Sequence, residues 1–324
     1  MLRGVARRAL AGAGVIAGVV VLTFLLLHAA PGDPVERLLG PTATPEQIAA
    51  QRHALGLDRP LASQLAVWFL DAVRGNWGTS IATGRPVREM LAAAWPPTVR
   101  LIVVSLVLSY LIGIAVGAYQ AARSRSRLDT TLSVVTVTLF AMPGYWLGLM
   151  LVLAFTYWAH WLPAFGAAGL DADYLSGGAW LADRLRHLAL PLATLTLIGV
   201  GGAARFVRGA MLETLNQTYI VTARAKGLTP ARVIGRHALR NALTPVVTLL
   251  GLSLPALFSG AVFVEAVFAW PGVGRVLVEA VQGRDYPVVM AATAVSAGLV
   301  VAGNILAELL AAWLDPRVRG GATA

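Results

Sequence analysis

The chain has 324 residues, of which 57% are hydrophobic and only 13% charged, and its mean hydropathy is +0.70. This composition excludes an ordinary soluble globular domain and indicates a protein that crosses a membrane several times. The net charge is +10, but the basic residues form short clusters between apolar runs, which favours topology signals over a nucleic-acid-binding surface. Cysteine is absent, so disulfides, thiolate metal sites and cysteine nucleophiles are excluded.

Six apolar runs approach the roughly 20 residues that a helix needs to cross a hydrocarbon core of about 30 Å. A helix closes its own backbone hydrogen bonds, and the alternating segments of a β-barrel do not occur in this sequence. The sequence therefore predicts an all-α fold, a polytopic membrane bundle of about six transmembrane helices. The runs cover residues 9–28, 99–121, 131–158, 188–205, 243–266 and 287–313.

The distribution of Lys and Arg predicts the orientation of this bundle. With the N-terminus inside, the inner segments hold 15 of the 26 basic residues and 3 acidic residues, whereas the outer segments hold 11 of each sign. Cytoplasmic loops carry an excess of Lys and Arg, so both termini are expected in the cytoplasm. The basic loop between the fourth and fifth spans is then cytoplasmic as well.

The runs and loops predict a chain of four parts. These are an N-terminal transmembrane helix at 1–30, an extracytoplasmic loop or cap at 31–98, a core at 99–313 with five spans, and a cytoplasmic tail at 314–324. Within the core, a cytoplasmic loop covers residues 206–242. The first run follows three arginines, as in a secretory signal, but it is longer than the apolar region of a typical signal. We interpret it as an uncleaved span, with cleavage near its end as the alternative.

The outer loop at 31–98 is too long to be a simple connection. Thr44 as N-cap, Pro45 in the first turn and Gly56 beyond the end predict a helix at 44–55. The three tryptophans of the loop suit a cap that lies at the membrane surface. The alternative is a cap that docks an extracytoplasmic partner.

Glycine and proline patterns predict how the spans pack. Three pairs fit the G-x-x-x-G spacing, which lets helix backbones approach closely, and we expect close packing within the chain rather than a dimer face. Prolines inside the spans each free a backbone carbonyl and are candidates for kinks. The glycine pairs are Gly14/Gly18, Gly113/Gly117 and Gly144/Gly148, and the prolines are Pro143, Pro191 and Pro255.

The basic loop has a predicted shape of helix, corner and helix. Apolar residues recur every four positions, so the fourth span is expected to continue as an amphipathic helix over residues 206–226. Gly227 supplies the left-handed residue that ends a helix, and Thr229 and Pro230 then begin another. On that second helix one stripe is basic and the opposite stripe is small and apolar, which suits either an acidic or phosphate-bearing neighbour or anionic lipid headgroups. The stripes are Arg232, Arg236 and Arg240, and Ala231, Ile234, Ala238 and Ala242.

Motifs for catalysis are missing from the sequence. It has no phosphate-binding loop, no H-E-x-x-H metal helix and no G-x-S-x-G elbow, and its five histidines include no metal-binding pair at i, i+4. We therefore predict no catalytic residue, cofactor or metal site in this chain. If the protein moves a solute uphill, the energy must come from another chain. Glu265 and Glu308 lie near the ends of spans, where an ion pair or snorkelling accounts for them, with a place on the substrate path as the alternative.

The corner carries a resemblance to a known family. Residues 222–245, TARAKGLTPARVIGRHALRNALTP, resemble the EAA loop of ABC-transporter permeases, in the form used by the dipeptide, oligopeptide and nickel importer family. The similarity keeps its order along nearly the whole chain. Its other segments are PGDP at 31–34, LGLDRPL at 55–61, PT at 97–98, MPGYWLG at 142–148, EAVFAWPG at 265–272, RDYP at 284–287 and DPR at 315–317.

This resemblance implies a type I ABC importer permease fold in the plasma membrane of a prokaryote. It implies a subunit that forms half of a translocation path for peptides, paired with a second homologous permease, two cytoplasmic ATPases that bind ATP and Mg, and an extracytoplasmic solute-binding protein. Membrane lipids are expected partners, and nucleic acid is not. The alternatives are a permease for nickel or another small solute of the same family, and an ATP-independent transporter or channel whose basic loop binds lipid.

Two sets of site residues follow. The first is an ATPase-coupling loop, in which the glycine corner enters a groove of the ATPase: Ala223, Arg224, Ala225, Lys226, Gly227, Leu228, Arg236, Leu239, Arg240 and Asn241. The second is an outer element near the substrate gate or the binding protein: Glu265, Trp270, Pro271, Gly272, Arg284 and Asp285.

Overall fold

The chain folds into helices, as its apolar runs predict. The structure, a computed structural model, describes the backbone of residues 2–314 and their side chains except at 2–6, 247–248, 251–252, 254–259, 306–308 and 310–314. Over this range no β-strand forms. The helices are α1 Leu2–Ala29, α2 Pro34–Leu39, α3 Pro45–Ala54, α4 Leu61–Val73, α5 Val87–Ala122, α6 Arg127–Ala141, α7 Gly144–Val152, α8 Gly177–Leu215, α9 Thr218–Ala225, α10 Pro230–Arg232, α11 Leu239–Val267, α12 Val273–Gly283 and α13 Tyr286–Leu314.

Five of the six predicted spans each lie within one of these helices, and the third, at 131–158, does not. Among the residues described, four helices are long and apolar enough to cross a membrane, and the bent pair α6 and α7 makes a fifth candidate. The predicted fifth span at 243–266 lies in α11, where many side chains are outside the described range. The fold is thus an all-α membrane bundle. Glu308 and the tail residues 315–324 lie outside the described side chains, so the predictions made for them stay predictions.

The third span is not the single straight helix that the apolar run predicts. Its two halves, α6 and α7, meet at an angle of 106° around Met142 and Pro143. Proline lacks an N–H and disfavours a helical residue before it, which explains the extended Met142 with φ −71° and ψ 133°. A π-helical turn, Leu153–Trp158, then follows α7. Pro191, in contrast, lies inside α8 without ending it.

Helix α8 packs against α6, α7 and α11, and glycines bring some of the backbones together. A Cβ on Gly113 would come within 2.6 Å of an α8 side chain, and one on Gly201 within 2.7 Å of the α6 backbone. The predicted close packing of Gly113 and Gly117 is therefore confirmed. The prediction is wrong for Gly14 and Gly18, which have no described atom within 4 Å of such a Cβ.

The chain divides into two compact units. The first contains residues 1–98 and 271–301, and the second contains residues 99–270 and those from 302 onward. In the first unit, Val20 and Phe24 of α1 pack against Met290 of α13. In the second unit, an apolar cluster joins α5, α8, α9 and α11. The four predicted parts of the chain, with their boundaries, stay predictions.

The cap between α1 and α5 is a set of short helices. The predicted helix at 44–55 is confirmed as α3, with a capping box between Thr44 and Gln47. Gly56 follows it with a φ of +67°. The His53 ring lies 2.7 Å from the Asp58 carboxylate, and this hydrogen bond holds the pKa of Asp58 below its usual value.

Candidate functional site

The predicted corner of the basic loop is present in the structure. Helix α9 ends at Ala225, and Gly227 follows with a φ of +77°. The N–H of Leu228 donates to the Ala223 carbonyl at 3.4 Å and that of Gly227 to the Arg224 carbonyl at 2.9 Å, the pattern of a Schellman motif. The next helix begins at Pro230. The corner therefore depends on a residue that accepts a left-handed backbone, and glycine does so without steric cost.

The helix before the corner is interrupted, so the prediction of one continuous helix over 206–226 is wrong. Helix α8 ends at Leu215, and Gln217 takes an extended conformation with φ −77° and ψ 148°. The N–H groups of Asn216 and Gln217 donate three residues back, at 3.3 Å and 3.1 Å, which tightens and closes the last turn. The sequence signal for this helix end was Asn216, because asparagine is common at the ends of helices.

The inner face of the corner is apolar and buried. Ile220 and Ala223 of α9 join Met211 of α8 and Val233 and Ala238 beyond the corner in one cluster, and each side chain is at most 6% exposed. Ala223 was predicted to lie on the contact surface, but its side chain faces this core. The corner is therefore fixed to α8 and to α11 by close packing.

The outer face of the corner is exposed and basic. Leu228 and Leu239 are half-buried at its edge, and Asn241 donates to the Tyr219 hydroxyl and to the His237 carbonyl, both at 2.9 Å. None of the basic side chains of this face forms an ion pair with a described residue. The exposed residues are Arg224, Ala225, Lys226, Gly227, Arg232, Arg236, Arg240 and Asn241.

The predicted small stripe of the second helix is only partly correct. Ala238 and Ala242 are buried, but Ala231 is exposed and Val233 is buried in its place. The cause is a π-helical turn, Val233–Ala238, between α10 and α11. A π turn holds more residues than an α turn and shifts the register of the faces. Hydrophobic periodicity at 3.6 residues per turn does not detect such a shift.

A buried ion pair fixes the start of α6 to α8. Asp129 is 4% exposed, and Arg208 donates to its two oxygens from Nε at 2.7 Å and from Nη2 at 2.8 Å. The backbone N–H of Arg125 donates to the same carboxylate at 3.0 Å. No sequence pattern predicted this pair, because its members are 79 positions apart and each resembles an ordinary charge of the inner side.

Two of the three charged residues of the outer set, Arg284 and Asp285, form contacts within the first unit. The Asp285 carboxylate, 3% exposed, accepts hydrogen bonds from the Ser80 hydroxyl and from the N–H groups of Ile81 and Ala82. The Arg284 guanidinium donates to the carbonyls of residues 30–32, which follow α1. These contacts hold the cap, and the predicted outer contact with a partner stays a prediction.

The other outer residues surround the end of α11. Glu265 is fully buried and Trp270 is 8% exposed. The backbone N–H of Trp270 donates to the backbone carbonyl of Glu265 at 2.9 Å. Pro271 is exposed, and Gly272 precedes α12 as its N-cap. Helix α12 follows Gly272 within the predicted outer element, and the role of this element near a gate or a binding protein stays a prediction.

Similar sequences cover the whole length of the chain. The family "Binding-protein-dependent transport system inner membrane component" matches residues 109–320, and its N-terminal counterpart matches residues 1–102. The oligopeptide transport system permease protein AppB of Bacillus subtilis is 38% identical over 313 residues, 96% of this chain and 98% of that protein. The probable D,D-dipeptide transport system permease protein DdpB of Escherichia coli is 40% identical over 322 residues, 95% of each chain.

Two solved structures share the fold. A chain of the inward-facing MetNI methionine ABC transporter has a TM-score of 0.55 at 18% identity, and covers 71% of this chain and 98% of its own. A chain of an amino acid ABC transporter crystallised with histidines has a TM-score of 0.53 at 13% identity, and covers 68% of this chain and 92% of its own. At these identities the likeness concerns the fold of the helices alone.

Proposed function

The chain belongs to the family of binding-protein-dependent transport system inner membrane components, and from this premise we propose that it is the permease subunit of an ATP-driven peptide importer. It forms half of a translocation path for di- or oligopeptides that a solute-binding protein delivers. The proposal is supported by relatives that are named as peptide permeases and match along nearly their whole length.

The assembly proposed for this chain contains a second homologous permease, two cytoplasmic ATPases and an extracytoplasmic binding protein. ATP and Mg are bound by the ATPase subunits, which carry out the hydrolysis. The chain itself lacks a phosphate-binding loop in its sequence, in agreement with this division of labour. Both termini and the corner lie in the cytoplasm, as the excess of Lys and Arg on that side indicates.

The observation that carries the proposal is the corner at residues 223–228, exposed on one face and packed on the other. Its exposed residues 224–227 enter a groove of the ATPase. Its buried side chains connect it to α8 and α11, so that a movement of the ATPase moves both helices with it. Nucleotide binding then favours one state of the bundle over the other, which is the requirement for alternating access.

A bulky residue at the corner tests this mechanism. Gly227→Trp should uncouple ATP hydrolysis from peptide uptake in proteoliposomes while the protein stays in the membrane. Because any side chain at a φ of +77° is also strained, Ala225→Trp adds the same bulk at an exposed helical position. Leu128→Trp is the matched control, since Leu128 is exposed on α6 and lies on the same predicted side.

We expect at least a tenfold loss of coupled uptake in both corner variants and none in the control. Full uptake by Ala225→Trp would contradict the proposed insertion. Co-purification of an ATPase in mild detergent tests the wider assignment, because an ATP-independent channel would retain none. Uptake of nickel or another small solute, but of no peptide, would support the assignment as an importer and contradict the assignment of peptides as its substrate.

A further inference from the structure

A second polar site lies at the other end of α8 from the corner. The segment after α7 and the first turns of α8 line a shallow, open cavity of about 410 Å³, a volume within the range of small-molecule pockets. Its polar lining comes from Thr156, His160, Asp183, Arg186 and His187, and Trp161 forms part of its wall. None of these residues belongs to the coupling loop or to the outer set.

The lining offers a cation and two nitrogen acceptors. Arg186 is exposed and forms no ion pair with a described residue. His160 and His187 each use Nδ1 to donate to the carbonyl four residues earlier, at 3.0 Å and 2.9 Å, so that Nε2 is the ring nitrogen left for a ligand. The His187 side chain is only 9% exposed.

The carboxylate among the lining residues, Asp183, already accepts hydrogen bonds from within the protein. Both oxygens of Asp183 accept from the Gly169 N–H, at 3.1 Å and 3.0 Å, and Oδ1 lies 3.3 Å from His187 Nδ1. Asp183 forms no ion pair with Arg186. Its negative charge nevertheless disfavours a multiply charged anion such as phosphate. The cavity is best matched to a single carboxylate combined with N–H donors.

The backbone beside the cavity has the irregularities of a ligand site. The wall begins in the π-helical turn Leu153–Trp158, a form that occurs often at functional sites. His160 has a φ of +56°, which is costly for a residue with a side chain. The Thr156 hydroxyl is buried and has no hydrogen-bond partner in the described structure. A regular α-helix through this segment would avoid all three costs.

We propose that this cavity binds the end of a short peptide, with the terminal carboxylate on Arg186 and backbone N–H groups on Nε2 of His160 and His187. The proposal rests on the proposed function, since the peptide is taken as the cargo of the importer. It adds a cargo contact in the permease itself, on named residues.

The position of the cavity fits that role. Helix α8 runs without a break from His187 to Leu215, which at 1.5 Å per residue is about 42 Å, more than a hydrocarbon core of about 30 Å. The cavity and the corner thus lie on opposite sides of the membrane, at the two ends of one helix. A cargo contact at one end and the ATPase contact at the other act on the same rigid element.

Binding of peptides to the assembled transporter in lipid nanodiscs, without its binding protein, tests the site. The probes are alanylalanine and its C-terminal amide. The signal is the change in Trp161 fluorescence on binding, identified as the part of the change that is absent from the Trp161→Phe variant. The wild-type protein should bind the free carboxylate at least tenfold more tightly than the amide. Arg186→Gln should remove this preference, and His160→Phe should weaken the binding of both probes.

Arg74→Gln, an exposed arginine of the cap, is the matched control and should bind like the wild type. Inorganic phosphate should not compete. A wild-type protein without preference for the carboxylate, or an Arg186→Gln variant that keeps the preference, would overturn the site. Peptide uptake in proteoliposomes is measured in parallel. Uptake without this binding would contradict the site but leave the proposed function standing. Arg186-dependent binding without uptake would support the site but contradict the proposed function.

Discussion

Two charged turns of this chain, at residues 224–227 and 284–285, use their charges in opposite ways. At the first turn the cations are exposed and have no ion pair with a described residue, while backbone caps and an apolar core hold the shape. At the second turn Arg284 and Asp285 hold residues distant in the sequence. The first turn keeps its charges for a partner, whereas the second uses them to build the cap.

The largest effect is expected at the second turn. Asp285→Ala removes an acceptor from two backbone N–H groups and from the buried Ser80 hydroxyl. Hydrogen bonds to a charged group contribute about 1.5–3 kcal/mol each, so the loss of three should lower the free energy of unfolding by at least about 4.5 kcal/mol. The thermal midpoint in detergent and protease cleavage near residues 79–86 report the loss. Asp285→Asn keeps one acceptor and should lose about half as much, and an unchanged midpoint in Asp285→Ala would mean that the cap does not depend on this carboxylate.

A smaller effect should separate the two faces of the first turn. Ala223 is 6% exposed within the apolar cluster, so Ala223→Leu overpacks the core and should cost about 1–3 kcal/mol. Ala225 lies two positions later on the exposed face, and Ala225→Leu should stay within about 0.5 kcal/mol of the wild type. Thermal midpoints of the two variants give the comparison. Equal losses in both would show that the corner has no distinct inner face.

The smallest effect on stability is expected for the exposed cations. Arg236→Gln should change the free energy of unfolding by less than about 0.5 kcal/mol, because this side chain has no ion pair among the described residues. If the ATPase contacts the basic face, however, the variant should retain less ATPase at low salt, and the difference should shrink at high salt. Retention equal to the wild type at every salt concentration would assign the basic face to lipid headgroups.

Local chemistry was readable from the sequence where one residue type decides the outcome. Apolar runs located the helices, Gly227 located the corner, and Thr44 with Pro45 located the start of α3, because each depends on backbone hydrogen bonds or sterics within a few residues. The same reasoning missed the end of α8 at Leu215, where the last turn closes through weak local preferences. Tertiary packing overrides or reinforces those preferences, and a pattern of neighbouring residues carries no information about that packing.

Contacts between distant residues were beyond such reasoning. Arg208 and Asp129, or Asp285 and Ser80, meet only once the helices are packed, and nothing in their local sequence distinguishes them from ordinary charges on a membrane surface. The outer cavity is a further case. Its histidines, His160 and His187, form no pair at i, i+4 and are 27 positions apart in the sequence, whereas the fold brings both to the lining of this cavity.

The π-helical turn Val233–Ala238 makes the length of this segment as important as its composition. Each helical residue turns the chain by about 100°, so the loss of one residue here would give a regular helix and rotate everything before it by about that angle relative to α11. The buried side chains of the corner would then no longer face the apolar cluster that they join in this structure. In related proteins we therefore expect many substitutions within Val233–Ala238 to be tolerated, but not the deletion of one residue from it.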